Sequence, residues 1–477
     1  MCGIVALIGN HNPQAIQKCL GLLSHRGKDG SKVYQDNNIA IGFNRLAIND
    51  ESEKGMQPFE YGDYIGVFNG EIFNFKSLAK ENNISLVSKC DIEIILPLFA
   101  KYGGGVIHLL DGFYSGLIFN KLTRNLYTIR DYIGKKPLFY GSSFSSEFIT
   151  SELKCISDIE NFECVPKGFS IIENNKISKN IKHQFLDKSP LDLKERIKIA
   201  VKKRVPENRD IPFGVFLSGG IDSSIIASIV NTLTKNVVYY SLVDLHSEDY
   251  KYVQELSVFL GIEEQLIMVS LPDRDELDQL IDQLVYQTES YNPSIISNGL
   301  ATYLLSKSAS EDGLKVILSG EGADELFCGY KISKDAEVTR DKSKILINNL
   351  HVTELRRLDL ASMSNTIEAR CPFLDKQVYE ASLGLSIEQL TDKQILRDLF
   401  IEELPKDIIS RKKTAFDVGS GIRKLVVEHL NHNNELERKS LKKIWSIHYP
   451  KKLAEKNYFH KYPVFDDAID KRGIKHR

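Results

Sequence analysis

Phe213-Gly214-Val215-Phe216-Leu217-Ser218-Gly219-Gly220-Ile221-Asp222-Ser223-Ser224 is an apolar run that breaks at Ser-Gly-Gly and resumes in helical rhythm. It predicts a strand over 213–217 and a helix over 223–233. The glycines between them let the backbone come close to a ligand. The following helix offers unpaired N–H groups and the positive end of its dipole, which suits an anion such as phosphate. Ser218, Ser223 and Ser224 add hydroxyl donors, and Asp222 suits a Mg²⁺ that bridges phosphate oxygens. No lysine stands where the Gly-Lys-Ser/Thr loop of common nucleoside triphosphatases requires one. Alone, Ser-Gly-Gly before a helix also reads as an ordinary strand-to-helix turn.

The rhythm continues downstream. Strands predicted over 237–243, 265–269 and 315–318 alternate with helices, one of them over 250–260. Such alternation implies a parallel sheet with helices on both faces. Ligands then sit outside the carboxyl ends of the strands. A second Ser-Gly turn closes the last of these strands, in Leu318-Ser319-Gly320-Glu321-Gly322-Ala323-Asp324-Glu325. It makes a second wall for the same cleft. Asp324 is placed to share a metal with Asp222, and Glu321 to contact substrate or transfer a proton. The plainer reading is that acids favour the first turn of a helix. Glu368-Ala369-Arg370-Cys371-Pro372 reads as a helix end at an X-Pro step. Arg411-Lys412-Lys413-Thr414 reads as a basic cluster, usually solvated. Beside a triphosphate, however, Lys413 could neutralise a departing pyrophosphate.

The first 180 residues have a different pattern. Strands are predicted over 4–8, 39–43, 64–68, 113–119 and 126–130, with a helix over 91–102. This is an α+β arrangement of antiparallel strands. The polar stretch 173–190 is expected to be the linker. The segment beyond about Leu430, with the single Trp445, is expected to be a solvated helical tail.

Met1-Cys2-Gly3-Ile4-Val5 opens the chain. Removal of Met1 would leave a thiol and an α-amino group on one residue. With an unperturbed pKa of roughly 7.7–8.0, that amine can serve as base for its own side chain. Asn69-Gly70 offers a side-chain amide and a backbone N–H to a developing oxyanion. Arg45 could take an α-carboxylate in a bidentate contact, and Glu71 or Asp91 an α-ammonium. Each piece also has a plain reading. Asn-Gly is a turn signal, His25-Arg26-Gly27 a loop with surface charge, and Asp91 an N-cap.

A length of 477 residues suits two or three domains. The formal net charge of −2 argues against a generally basic nucleic-acid binder. Seven cysteines without close zinc-type spacing fit a reducing cytosol. We find no signal-peptide pattern and no apolar run of membrane-spanning length, so the protein is expected in the cytoplasm, away from membranes.

In this order, Cys2-Gly3-Ile4, His25-Arg26-Gly27-Lys28-Asp29-Gly30, Arg45-Leu46-Ala47-Ile48, Asn69-Gly70-Glu71-Ile72-Phe73-Asn74 and the run from Arg130-Asp131 to Pro137-Leu138 resemble the glutaminase domain of class II glutamine amidotransferases. The Ser218 loop, the Ser319 turn and the two later segments resemble the synthetase domain of glutamine-hydrolysing asparagine synthetases. The resemblance runs from residue 1 to about 420. It implies an N-terminal-nucleophile domain of stacked antiparallel sheets over 1–190. An α/β parallel-sheet ATP-pyrophosphatase domain would follow over 191–477. Cys2 would be the nucleophile, Asn69 and Gly70 the oxyanion hole, and Arg45, Glu71 and Asp91 the glutamine site. ATP would lie on Leu217, Ser218, Gly219, Gly220, Asp222, Ser223, Ser224, Val243, Ser319 and Gly320. Asp222 and Asp324 would hold Mg²⁺, with Glu321 and Lys413 in catalysis. The implied substrates are glutamine, aspartate and ATP, with ammonia passing between the domains to an adenylate. A homodimer is compatible with the resemblance. Another carboxylate acceptor, such as a glycan, peptide or specialised metabolite, stays open. The departures are Lys28 for proline, Phe73 for tyrosine, Cys328 for glycine and Cys371 for valine.

Overall fold

Alternating apolar residues in the first part of the chain fold into two antiparallel sheets. In a computed structural model the described residues are 2–9, 13–185, 192–206, 211–330, 336–430 and 434–460. The chain divides into two compact units, Met1–Phe185 and Leu186–Arg477. The first unit contains β1 (Gly3–Ile8), β2 (Ser31–Gln35), β3 (Ile39–Asn44), β4 (Phe59–Tyr61), β5 (Tyr64–Ile72) and β6 (Gly112–Asn120). It continues with β7 (Leu126–Arg130), β8 (Phe139–Ser143), β9 (Glu147–Thr150), β10 (Ile159–Cys164), β11 (Gly168–Glu173) and β12 (Lys176–Ile181). One sheet has the order β10-β8-β9-β1-β3-β2, the other β12-β11-β7-β6-β5-β4.

Successive strand residues point to opposite faces, and here that decides the core. Ile4, Ala6, Ile41 and Phe43 of the first sheet pack against Ile65, Val67, Leu117 and Phe119 of the second. The far face of the second sheet, with Phe68, Tyr114 and Ile118, buries against Ile95, Leu96 and Phe99 of helix Ile95–Tyr102. This is the expected stack of antiparallel sheets with helices.

Several expectations need correction. The strand expected to stop at 68 runs on to Ile72, so Asn69-Gly70 lies within β5, not in a turn. Residues 176–181 of the expected linker form β12, paired to β11. Their polarity is that of an edge strand with much of its surface in water. Residues 186–190 lie outside the described residues. The tail is not simply solvated: Trp445, on helix Asn434–His448, is fully buried. It packs on the rings of Tyr291, Tyr449 and Phe459. The buried Leu441 and Trp445 are one helical turn apart on that helix, which gives it an apolar stripe.

The second unit holds five parallel strands: β13 (Phe213–Phe216), β14 (Val237–Leu242), β15 (Leu266–Val269), β16 (Val316–Leu318) and β17 (Glu368–Arg370). Their order is β15-β14-β13-β16-β17. The order reverses between β13 and β16, and a crevice opens at such a reversal. Both Ser-Gly turns leave those two strands. β17 was expected to be a helix end. Its charges disguise it: Glu368 and Arg370 are buried and pair with each other at 2.8 Å. Among the described residues, no helix is long and apolar enough to cross a membrane.

Candidate active site

β1 begins at Gly3, which leaves Cys2 at its end opposite β5. The Cys2 backbone nitrogen donates to Asn69 Oδ1 at 2.9 Å. The Leu46 N–H lies 3.5 Å from the Cys2 sulfur. Asn69 is fully buried, and its Nδ2 has no hydrogen-bond partner among the described residues. A buried donor left unpaired costs about 1–3 kcal/mol, so this atom marks a place for an acceptor that the fold does not supply. Gly70 follows at φ +148, and an added Cβ would sit 2.0 Å from the Phe113 carbonyl oxygen on β6. Only glycine fits there.

Glu71 comes next on β5 and is buried. Asp91 opens a short 3-10 turn whose N-cap position belongs to Cys90. Its carboxylate accepts from the Ile72 N–H at 2.6 Å and from Asn49 Nδ2 at 3.2 Å. It therefore ties the end of β5 to the segment after Arg45 instead of capping its own turn. The buried Arg45 guanidinium donates to the carbonyl oxygens of Ser52, at 2.7 Å, and of Asp50. These bonds fix its plane. The loop before Gly30 is stitched to the same segment. Asp29 N–H donates to Arg45 O at 2.9 Å, Arg45 N–H to Gly30 O at 2.8 Å, and Ala47 N–H to the Asp29 carboxylate at 2.8 Å. The exposed Lys28 sits in this bonded loop, so the stiffness a proline would add is supplied otherwise. Phe73 packs edge-on against Phe113.

Arg26 differs from its plain reading as surface charge. It is fully buried, and its Nε donates to the Cys2 carbonyl oxygen at 3.1 Å. The Arg130-Asp131 run builds a turn. Arg130 donates to the carbonyls of Gly134, Lys136 and Val165, while Asp131 accepts from the Ile133 and Lys135 N–H groups.

In the second unit, Leu217 N–H reaches Tyr240 O on β14 at 2.8 Å as β13 ends. Gly219 has φ +65, and a Cβ there would lie 2.6 Å from Tyr252 Cβ. Gly220 is the N-cap of helix Ile221–Leu233. Ser223 Oγ accepts from Ser218 N–H at 3.2 Å and lies 3.1 Å from Gly220 O, to which Ser224 Oγ also donates, at 2.8 Å. Arg411 donates to Ser218 O at 3.0 Å and holds the loop from outside. Val243 follows β14, is buried, and bonds Val269 O at 3.2 Å. The two Ser-Gly turns touch: a Cβ on Gly320 would lie 2.9 Å from Asp222 Cβ. Ser319 N–H donates to Arg370 O on β17 at 2.8 Å.

A charge cluster spans the crevice. Lys393 Nζ lies 2.5 Å from Asp222 Oδ2 and 2.6 Å from Asp324 Oδ1. Lys413 Nζ lies 2.5 Å from Asp324 Oδ2. Burial pushes the Asp324 carboxyl up, but the two ammonium groups outweigh it and hold it at about 2. Burial pulls Lys413 down, yet Asp324 and Asp222 keep it above its usual value. Glu321 pairs with Arg357 at 2.8 Å. Burial still raises it above the ordinary carboxylate range, against the pull of Arg357. Burial, with the charges of Asp324, Glu321 and Glu354, pushes Glu325 up to about 8. Its Oε1 accepts from the Tyr330 hydroxyl at 3.0 Å.

The cluster fits Mg²⁺, which takes one or two carboxylates and completes its shell with substrate phosphates and water. Asp222 Oδ1 is buried and has no hydrogen-bond partner among the described residues. No group of three or more His, Cys, Asp or Glu suited to a metal occurs among those residues. Sequence reading missed Lys393, Arg357 and Glu325. An isolated lysine in Thr391-Asp392-Lys393 carries no motif. The one hint was that two facing acids need a cation. Cys328 has φ +46, a conformation that favours the glycine expected at that position. Cys371 is fully buried, where an apolar residue was expected.

Comparison with known proteins gives a consistent match. Residues 1–189 match the family described as glutamine amidotransferase domain, and residues 192–346 and 343–461 that described as asparagine synthase. A probable asparagine synthetase (glutamine-hydrolyzing) of Acanthamoeba polyphaga mimivirus is 30% identical over 540 residues, covering 99% of this chain and 94% of that one. Asparagine synthetase (glutamine-hydrolyzing) 2 of Lotus japonicus is 31% identical over 467 residues, 88% of this chain and 78% of that one. Asparagine synthetase (glutamine-hydrolyzing) 1 of Arabidopsis thaliana is 31% identical over 466 residues, with the same two coverages.

Proposed function

This chain belongs to the family of glutamine-hydrolysing asparagine synthetases, ligases that use glutamine, and from that premise we infer how its two centres divide the reaction. One observation carries the reading. Asn69 is fixed to the Cys2 nitrogen through its oxygen and leaves a buried Nδ2 donor unpaired.

With Met1 removed, the Cys2 amine takes the proton of its own thiol, and the sulfur attacks the side-chain amide carbon of glutamine. Negative charge develops on the amide oxygen, and Asn69 Nδ2 and the Gly70 N–H stabilise it. The Cys2 amine returns the proton to the departing nitrogen, ammonia leaves, and water hydrolyses the thioester to glutamate and the free thiol. Arg45 holds the α-carboxylate of glutamine, and Glu71 and Asp91 its α-ammonium.

In the second unit ATP lies on Leu217, Ser218, Gly219, Gly220, Ser223, Ser224, Ser319 and Gly320, with its base toward Val243. Mg²⁺ held by Asp222 and Asp324 would neutralise charge on the phosphate oxygens. The side-chain carboxylate of aspartate attacks the α-phosphorus, and pyrophosphate leaves toward Lys413 and Lys393. The product is a β-aspartyl-adenylate. Ammonia attacks its acyl carbon, Glu321 accepts a proton, and AMP departs from asparagine.

Oxygen labelling tests the adenylate. Aspartate carrying ¹⁸O in its side-chain carboxylate is expected to pass one ¹⁸O to AMP. Label in orthophosphate alongside ADP would contradict the proposal. For the glutaminase centre, Asn69→Ala is expected to lower the glutaminase rate on the order of 10²–10³-fold. Asn69→Asp keeps the acceptor for the Cys2 nitrogen but loses the donor, and is expected to fall nearly as far. A normal rate in either variant would remove Asn69 from the oxyanion site.

A further inference from the structure

The first unit holds a buried charge cluster that the chemistry above does not use. Glu152 follows β9 by two residues, and its side chain is fully buried. Its Oε2 meets His25 Nε2 at 2.9 Å and Lys154 Nζ at 2.8 Å, and its Oε1 accepts from the buried Arg26 NH1. Arg26 in turn donates through Nε to the carbonyl oxygen of Cys2. One guanidinium, contacted on both sides, therefore separates this carboxylate from the backbone of the nucleophile.

The surroundings fix the group from each side. Thr150 Oγ1 donates to Glu152 O at 3.0 Å, and Ile4 N–H to Ser151 Oγ at 3.1 Å, which ties this segment to β1 close to Cys2. The ionisable neighbours are His25 and Arg26 from the Ser24–Arg26 turn, Lys154 and Cys155 from the Leu153–Cys155 turn, and Cys19 from helix Pro13–Leu22. Cys90 interacts electrostatically with Cys2. Burial pushes Glu152 up, but Lys154, His25 and Arg26 outweigh it and hold the carboxyl well below its usual range. Burial also lowers His25, against the opposing pull of Glu152. The cluster is then two permanent cations against one anion.

We propose that Glu152 is a positioning residue of the glutaminase centre, fixing Arg26 on the Cys2 carbonyl and offsetting positive charge beside the Cys2 amine so that the amine stays basic enough to take the thiol proton. The proposal rests on the reading of Cys2 as nucleophile. Its logic is electrostatic. Removing the anion leaves uncompensated cations near an ammonium-forming group, and like charge in a buried site makes that group release its proton more readily. Removing a cation has the opposite sign.

The test is the pH profile of glutamine hydrolysis by the full-length enzyme, read as kcat/KM, with ammonia-dependent synthesis as the check on folding. Glu152→Gln is expected to move the acidic limb down by on the order of one pH unit and to lower the plateau about tenfold. Lys154→Met leaves the Glu152–Arg26 contact in place and is expected to move the limb up. Glu152→Asp is expected to restore part of the wild-type profile. A role in packing alone would lower rates and leave the limb where it stands, and unmoved limbs in both Glu152→Gln and Lys154→Met would overturn the proposal. Should Glu152→Gln fail to fold, Lys154→Met alone decides by the sign of its shift. The same assay on Cys2→Ala separates the two ideas. Glutamine hydrolysis surviving in Cys2→Ala would sink the nucleophile reading itself. An inactive Cys2→Ala with unmoved limbs elsewhere would sink only the role of Glu152.

Discussion

Replacing Cys2 by alanine is expected to cut glutamine-dependent asparagine synthesis on the order of 10⁴-fold or more and leave synthesis from free ammonia near the wild-type rate. The size follows from the proposed role of Cys2 as nucleophile, whose loss would remove the covalent route and leave only binding and oxyanion stabilisation. The selectivity follows from the fold. Cys2 and Asn69 lie in the first compact unit, and Asp222, Asp324, Lys393 and Lys413 lie in the second. Alanine keeps the backbone nitrogen that Asn69 Oδ1 accepts from, so the surrounding geometry should survive. Rates with ammonium chloride and with glutamine, measured on one preparation, give both values. Loss of the ammonia-dependent rate as well would contradict the division of labour.

Lys393→Met is expected to have the converse breadth. Synthesis should fall on the order of 10²–10³-fold with either nitrogen source, while glutamine hydrolysis continues. The Lys393 side chain is 3% exposed and bridges the two carboxylates that face the phosphates in the proposed chemistry. Without it Asp222 keeps only the longer-range attraction of Lys413, while Asp324 still pairs with Lys413 directly. Removing one partner of a buried ion pair typically costs roughly 3–5 kcal/mol, and the remaining lysine should reduce that. A lower melting temperature of the second unit is therefore expected beside the lost activity. Gly329 bears on the same point, because a Cβ there would strike Lys393 Cε at 2.2 Å and Asp324 Oδ1 at 2.1 Å. A normal ammonia-dependent rate in Lys393→Met would remove this lysine from the phosphate site.

What the sequence disclosed and what it hid have physical reasons. The alternation of strand and helix after residue 213 showed the parallel sheet, because buried parallel strands are apolar runs between helical periods. Both Ser-Gly turns fall at carboxyl ends of adjacent strands, as that topology requires. β17 escaped because its buried charges satisfy each other, and such pairing has no sequence period. β12 escaped because an edge strand is polar. Asn69-Gly70 was ambiguous as a dipeptide. Its place inside β5 is set by pairing with β6, a long-range contact. Lys393 and Glu152, and the buried contact of Arg26 with Cys2, were illegible for the same reason. Each is a charged residue made special only by what the fold brings against it.

The most direct test of the account is one incubation of the enzyme with ATP, Mg²⁺, aspartate and glutamine labelled with ¹⁵N in its side-chain amide. The account predicts ¹⁵N in the side-chain amide of asparagine, together with equal amounts of AMP and pyrophosphate. Glutamate formed without labelled asparagine, or ADP and orthophosphate in place of AMP and pyrophosphate, would contradict it.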